Sequence, residues 1–304
     1  MLGENGVPEG IRTPDLRFRK PLLYPAELPG RGRAQLAAPR QAHYSRKAMT
    51  RSRAISLCLV LLACGESHAE TCAGASAPLD GRGTARERLE IQMPDGRVLR
   101  QAGLALFAQT PDGKARFENA RRALQTRLDV ASIEAPAPLP LEDRWGRITG
   151  HFQTADENLG AWLARSGLAR VAPLAGDPCG RILLNAEAKA RQAKLGLWAD
   201  PYYSVLAAEN PVAFTSRSGE FVLVEGRILR LGQTSARFYL DFGPARGVDL
   251  SVTISKQSAK AIAAAGLRIE ALPGQRVRVR GTLDHRPGPT IDVVSPYSIE
   301  LIGR

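Results

Sequence analysis

Cysteine and histidine are both scarce, four of each in 304 residues. They do not cluster at zinc-ligand spacing, and neither a glycine-rich phosphate loop nor a serine triad occurs, so none of those chemistries organises the chain. Long apolar runs are missing too. The richest run, Ala54 to Ala63, falls well short of the ~20 residues a bilayer-spanning helix needs. No short-period repeat is present. What remains is a chain long enough for two ordinary domains, 44% apolar and 24% charged, which is a globular composition.

The first 69 residues depart from that composition and are set aside from fold reasoning. Gly6 to Gly30, "GVPEGIRTPDLRFRKPLLYPAELPG", has neither helical nor alternating periodicity. "GIRTP" and "LLYPAEL" are what an antisense transfer-RNA T-loop and D-arm would encode. Residues 1–48 are therefore read as a disordered extension from a mis-assigned start codon, with a genuine basic tail as the alternative. From Met49, Arg51 and Arg53 form a basic n-region, Ala54 to Ala63 an apolar h-region, and Ser67-His68-Ala69 a small-x-small cleavage site. Residues 49–69 are expected to be an export signal, placing the mature chain in the periplasm or outside the cell. "LLAC" ending at Cys64 leaves open a lipoprotein instead.

Removing residues 1–69 changes the charge argument. The formal net charge of +12 falls to +6, from 31 basic and 25 acidic residues. That suits a polyanion partner without requiring one. Only Cys72 and Cys179 survive processing, and two cysteines in an exported chain read as one disulfide rather than a metal site.

Along the mature chain, residues 82–108 alternate around the Pro94-Asp95-Gly96 turn signal and predict strands. Residues 114–128 place Ala115, Phe117 or Glu118, Ala120, Leu124 and Leu128 near one face and predict an amphipathic helix. A proline-rich loop leads to "EDRWGRITGHF". Two helices follow: "ENLGAWLARSGL", with Asp156 as its expected cap and Gly167 as its stop, and "CGRILLNAEAKARQAKLG", opened by Asp177-Pro178 and ended at Gly196. Residues 202–218 read as a linker. From Gly219 to Arg304, five short strands interrupted by the helical "KQSAKAIAAAGL" predict a small OB-like β-barrel.

Three motifs in this order, Asp143-Arg144-Trp145-Gly146-Arg147, Asn158 with Leu159 to Val171, and Glu187 to Trp198, resemble the staphylococcal nuclease (thermonuclease) family over about Arg82 to Pro201. The resemblance implies an α+β, mostly β fold: a nuclease-type barrel with three helices over residues 70–201, followed by the second barrel at 219–304. In such enzymes Ca²⁺, a glutamate base and two arginines act on a phosphodiester. Arg100 and Arg147 match the two arginines. Leu89, Ala105 and Ala108 stand where the three acidic partners are expected, and Phe107 where a proline is. Glu90 adjoins Leu89, but a one-residue shift in a strand turns a side chain to the opposite face. Asp112, Glu118, Glu134 and Glu142 are the candidates for a relocated acid.

With cationic positions kept and acidic ones absent, Arg100 and Arg147 are expected to contact phosphate only, with no metal or other cofactor. Arg147 could equally hold its own turn by pairing with Asp143 or Glu142. His151 is expected to be a surface or core residue rather than a base, and Trp162 and Trp198 to be packing. In the second barrel, Arg276, Arg278 and Arg280 share one strand face, a basic stripe or a merely solvated side. With Phe238 and Tyr239 they are the candidate nucleic-acid contacts. The sequence thus predicts an exported, catalytically degenerate relative of the nucleases that binds single-stranded nucleic acid or another polyanion, or a protein partner in the envelope. The alternative is an active nuclease with a relocated acid.

Overall fold

A computed structural model describes residues 72, 74–105 and 111–303. The readings on residues 1–69, Cys64 included, and on Phe107 and Ala108 lie outside the described residues. So does the side chain of Asp112.

Short strands come first: β1 (Ser76–Pro78), β2 (Thr84–Ala85), β3 (Glu90–Gln92), β4 (Val98–Gln101) and β5 (Leu104–Ala105). The Pro94-Asp95-Gly96 signal makes the β3–β4 hairpin, where the Asp95 carboxylate accepts from the Arg97 amide at 3.0 Å. Helix α1 spans Pro111–Val130, longer than its apolar stripe. Ala120, Leu124 and Leu128 lie fully buried and Phe117 partly so, while Ala115 is exposed at the end of the stripe. Each buried leucine contributes about 1.5–3 kcal/mol by leaving water.

β6 (Glu134–Pro136) pairs with β1, and β7 (Arg147–Gly150) adds in parallel to β4, giving a sheet ordered β2-β3-β4-β7. Helix α2 (Leu159–Arg165) is capped by Asn158, whose side chain accepts from the Ala161 amide at 3.0 Å. Asp156 is not the cap; it reaches Arg127 instead. The chain then forms β8 (Arg170–Val171), paired with β5, and α3 (Gly180–Gln192), which ends four residues before the Gly196 stop signal. Gly167 and Gly196 pack backbone to backbone: a Cβ on Gly167 would sit 2.2 Å from the Leu195 carbonyl oxygen. No residue with a side chain fits there, so the ends of α2 and α3 are held together.

The expected linker is packed rather than loose. β9 (Leu206–Ala207) pairs in parallel with β10 (Phe221–Arg227), and Phe214 is fully buried in the following core. Then come β11 (Arg230–Gln233), β12 (Arg237–Asp241), β13 (Ser251–Ser255), helix α4 (Lys256–Ala264), β14 (Arg276–Asp284), β15 (Thr290–Val293) and β16 (Ile299–Leu301). The sheet runs β11-β12-β13-β15-β14-β10-β9, with β16 on β14. Ser255 caps α4, accepting from the Ser258 amide at 3.0 Å.

The fold is thus mixed α+β, with four α-helices and several sheets among the described residues. One core gathers residues between Ala85 and Tyr203, a second those between Ala208 and Ile299, and Ala190, Trp198 and Leu223 form a small cluster joining the two halves. The described residues fall in one compact unit. Among them no helix is long and apolar enough to cross a membrane.

Candidate functional site

Alternation in the first sheet buries Ile91, Leu99 and Ile148 and leaves Glu90, Arg100, Arg147 and Thr149 on the other face. The register fixes them as neighbours: Glu90 lies opposite Arg100, Arg100 opposite Thr149, and Val98 opposite Arg147. The two arginines singled out by sequence therefore do share a surface.

Glu90 corrects the sequence reading. Arg88 and Leu89 take left-handed backbone conformations, φ 62° and 55°, in a single 3₁₀ turn that precedes β3. That conformation is uncommon for residues with a Cβ; from there on Leu89, Ile91 and Met93 are buried in ordinary alternation, so the position that faces the arginines is Glu90, one residue after the expected one. Leu89 drops into the core while Glu90 turns to the arginine face. Glu90 Oε1 then accepts from Arg147 Nη1 at 3.1 Å. Glu118 pairs with Arg121, Glu134 accepts from Ser76 and Gln153, and Glu142 is exposed on its loop; none of them contacts Arg100 or Arg147.

The "DRWGR" segment is a tight turn. Gly146 supplies φ 71°, and the Asp143 carboxylate accepts from the backbone amides of Trp145 and Arg147 at 2.8 and 3.0 Å. Its other oxygen accepts from Arg147 Nε at 2.9 Å and Nη2 at 2.8 Å. The Arg147 fork holds the Asp143 carboxyl below the usual carboxylate range, while the hydrogen bonds it donates to Asp143 and Glu90 hold the Arg147 guanidinium firmly charged. Arg147 is thus matched by two carboxylates. Trp145 is 61% exposed, with the Arg144 guanidinium 3.9 Å and that of Arg147 4.7 Å from its ring centre. Arg100 has no ion pair among the described residues.

Among the described residues two cysteines are joined: Cys72–Cys179 closes a separation of 107 residues with a Cα–Cα distance of 4.8 Å. Beside it, the nearly buried His151 meets the fully buried Asp177 at 2.8 Å. Burial by itself raises the Asp177 carboxyl, but the hydrogen bond and charge of His151 and the Cys179 amide outweigh it and hold it below its ordinary value. His151 is thus a buried structural partner. Trp198 is buried and Trp162 half-buried under Arg127, so both tryptophans pack.

The candidate contacts of the second half separate in the structure. Arg280 is wholly buried, donating to Glu187 Oε2 at 2.7 Å, to the Val171 carbonyl at 3.1 Å and to Glu300. Arg278 pairs with Glu225 and Glu300, and only Arg276 is well exposed, 4.0 Å from Glu225. The three guanidiniums do lie on one strand face, but that face is covered by Glu187, Glu225 and Glu300, so it is no open basic stripe. Phe238 is a core residue with Lys256 above its ring, and Tyr239 alone of the pair reaches a surface cleft.

A mixed α+β unit that brings two separated arginines onto one sheet face, with a short helix and a long helix packed behind, has the architecture of a nuclease-like domain. Residues 101–200 match the family model described as Staphylococcal nuclease homologue, and the chain contains a staphylococcal nuclease-like domain. The match includes Arg147, Asn158 and Glu187 and begins one residue after Arg100. No curated protein matches the chain.

Proposed function

We propose that the protein is an exported, non-hydrolytic relative of the thermonucleases that binds single-stranded nucleic acid or a similar polyanion through the face around Arg100, Arg144 and Trp145. The observation that carries this reading is the double pairing of Arg147 with Asp143 and Glu90. A guanidinium already matched by two carboxylates has little left to offer a phosphoryl oxygen. The donor set does not suit Ca²⁺ either, since Leu89 and Ala105 occupy the expected carboxylate positions and the nearest acid, Glu90, is engaged by Arg147. An unpaired Arg100 and an exposed arginine–tryptophan stack keep the capacity to hold phosphate and stack a base.

In the same reading, residues 70–201 form the nuclease-like barrel and 219–304 an OB-like barrel. Its closure is suggested by β10 and β11, which lie at or beside opposite ends of the sheet path yet are separated only by Ile228 and Leu229. These two strands act as halves of one bent strand, a common way to close a small barrel.

Glu90 is also the acid that the alternative reading, an active nuclease, would use. Incubation with single-stranded DNA and Ca²⁺ separates the two. The substrate stays intact on the present reading. Cleavage that disappears with chelator and with Glu90→Gln or Arg147→Ala would overturn it. On immobilised single-stranded DNA, retention should fall steeply with salt and weaken in Arg100→Ala and Trp145→Ala. Absence of retention at low salt would refute the binding claim.

A further inference from the structure

The second half carries a cleft of about 930 Å³, near the top of the ~300–1,000 Å³ range of ligand sites, and so roomy enough for several linked units. Its floor is the solvent face of β12, β13 and β15. Strand register aligns Gly232, Tyr239, Thr253 and Asp292 in one row across it, and Asp241, Ser251 and Thr290 in the next. Its walls are the loops at 243–250 and 284–289, which meet backbone to backbone: a Cβ on Gly288 would lie 2.5 Å from the Gly247 Cα.

The charges lining this cleft cancel locally. Arg237 donates to Asp292 at 2.6 Å, Asp241 accepts from Arg230 outside the cleft at 2.5 Å with Arg246 3.9 Å away, and Arg286 lies 3.7 Å from Asp284. Asp249 adds a fourth carboxylate against three guanidiniums. A phosphate chain entering here would meet four carboxylates against three guanidiniums, each of the latter within 4.0 Å of a carboxylate, whereas polyanion binding draws its affinity from an excess of cations free to neutralise phosphates.

The polar groups have a different complement. Asp292 Oδ1 accepts from both Arg237 Nη1 and Thr253 Oγ1, the latter at 2.6 Å, while Asp292 Oδ2 has no partner among the described residues. A fixed acceptor thus stands beside a fixed guanidinium, which matches two adjacent hydroxyls, each of which donates and accepts. In the same row Tyr239, which lines the cleft, offers a ring for an apolar sugar face, and Gly232 opposite it adds no side chain, with Arg246 Nη2 3.8 Å from where a Cβ would sit.

We infer that this cleft binds an uncharged, hydroxyl-rich chain, a neutral oligosaccharide, at a site separate from the arginine face of the nuclease-like domain. The fluorescently labelled protein is applied to an array of neutral oligosaccharides carrying oligothymidylate spots, and positives are measured by calorimetry. At least one neutral oligosaccharide should bind, with affinity changing less than about twofold between 50 and 200 mM salt, against a loss of orders of magnitude for a phosphate-driven contact. Tyr239→Ala and Asp292→Asn should each weaken it at least about tenfold, the scale of one lost specific contact. Tyr239→Phe should retain it and serves as the folding control. Binding of no neutral oligosaccharide, or oligothymidylate binding that Tyr239→Ala abolishes, would overturn the inference. Oligothymidylate binding that depends on Arg100 and survives Tyr239→Ala leaves this cleft to the sugar and concerns only the other face.

Discussion

Glu187→Gln is expected to be among the most destabilising single-atom-scale changes in the protein. Glu187 and Arg280 are both fully buried, and their contact links α3 of the nuclease-like domain to β14 of the second half. Glu187 also accepts from the Val171 amide at 2.7 Å and from Arg191 at 3.4 Å. Removing one partner of a buried pair costs about 3–5 kcal/mol, because the remaining charge cannot return to water. Glutamine still fills the space and Glu300 still holds Arg280, so the lower end, ~3 kcal/mol, is expected. For a chain of this size that corresponds to a fall in Tm of about 6–12 °C. Urea titration and calorimetry at neutral pH measure it. A loss under ~1 kcal/mol, the scale of an exposed ion pair, would refute the argument. The double variant Glu187→Leu with Arg280→Met, which leaves no orphaned charge between these two positions, should be less destabilised than Glu187→Gln.

Four further outcomes are expected. Reducing Cys72–Cys179 should cost several kcal/mol, about 4.7 for a loop of roughly 100 residues in the chain-entropy model, seen as a lower urea midpoint; an unchanged midpoint with both thiols alkylated would contradict it. The depressed Asp177 carboxyl stabilises the fold above its unfolded value of 3.8, and this contribution is lost as pH falls through the lower folded value. Asp177→Asn should therefore be less stable than wild type at pH 5, with the gap narrowing towards pH 3; a gap constant with pH would dismiss the linkage. Gly180→Ala drives a methyl to within 2.1 Å of the Tyr297 ring and should cost about 1–3 kcal/mol, with thermal unfolding as the readout. Paired replacement of Asp143 and Glu90 by Asn and Gln frees Arg147 and should strengthen retention on single-stranded DNA, with a steeper salt dependence; weaker retention in a folded variant would show that Arg147 does not face the ligand.

Much of the fold was legible because it rests on periodicity and turn chemistry. The stripe Ala120, Leu124 and Leu128, the Pro94-Asp95-Gly96 hairpin and the helix after Ser255 are local patterns, and the structure keeps them. The cysteine pair followed from counting. What escaped were effects of position in space. The alternation of Arg276, Arg278 and Arg280 was read correctly as one face, but nothing local announces that Glu187, 93 residues from Arg280, covers it. The same holds for Glu90. Leu89 and Glu90 do point to opposite faces, as alternation requires, but nothing local tells which of the two faces the arginines across the sheet. The polar, proline-containing texture of residues 202–218, read as a linker, likewise hid the buried side chains of Tyr203, Ala208 and Phe214.

The bond between Cys72 and Cys179 turns most of the nuclease-like domain into a covalent ring that includes β1 to β8 as well as α1 and α2. A protease that cuts once within that ring, for instance in the exposed loop around Leu141, releases no fragment, because both new ends stay tied through sulfur. The nick would show only after reduction, as two pieces where one band ran before. Damage to the loop beside the arginine face therefore need not separate that face from the rest of the molecule while the bond holds.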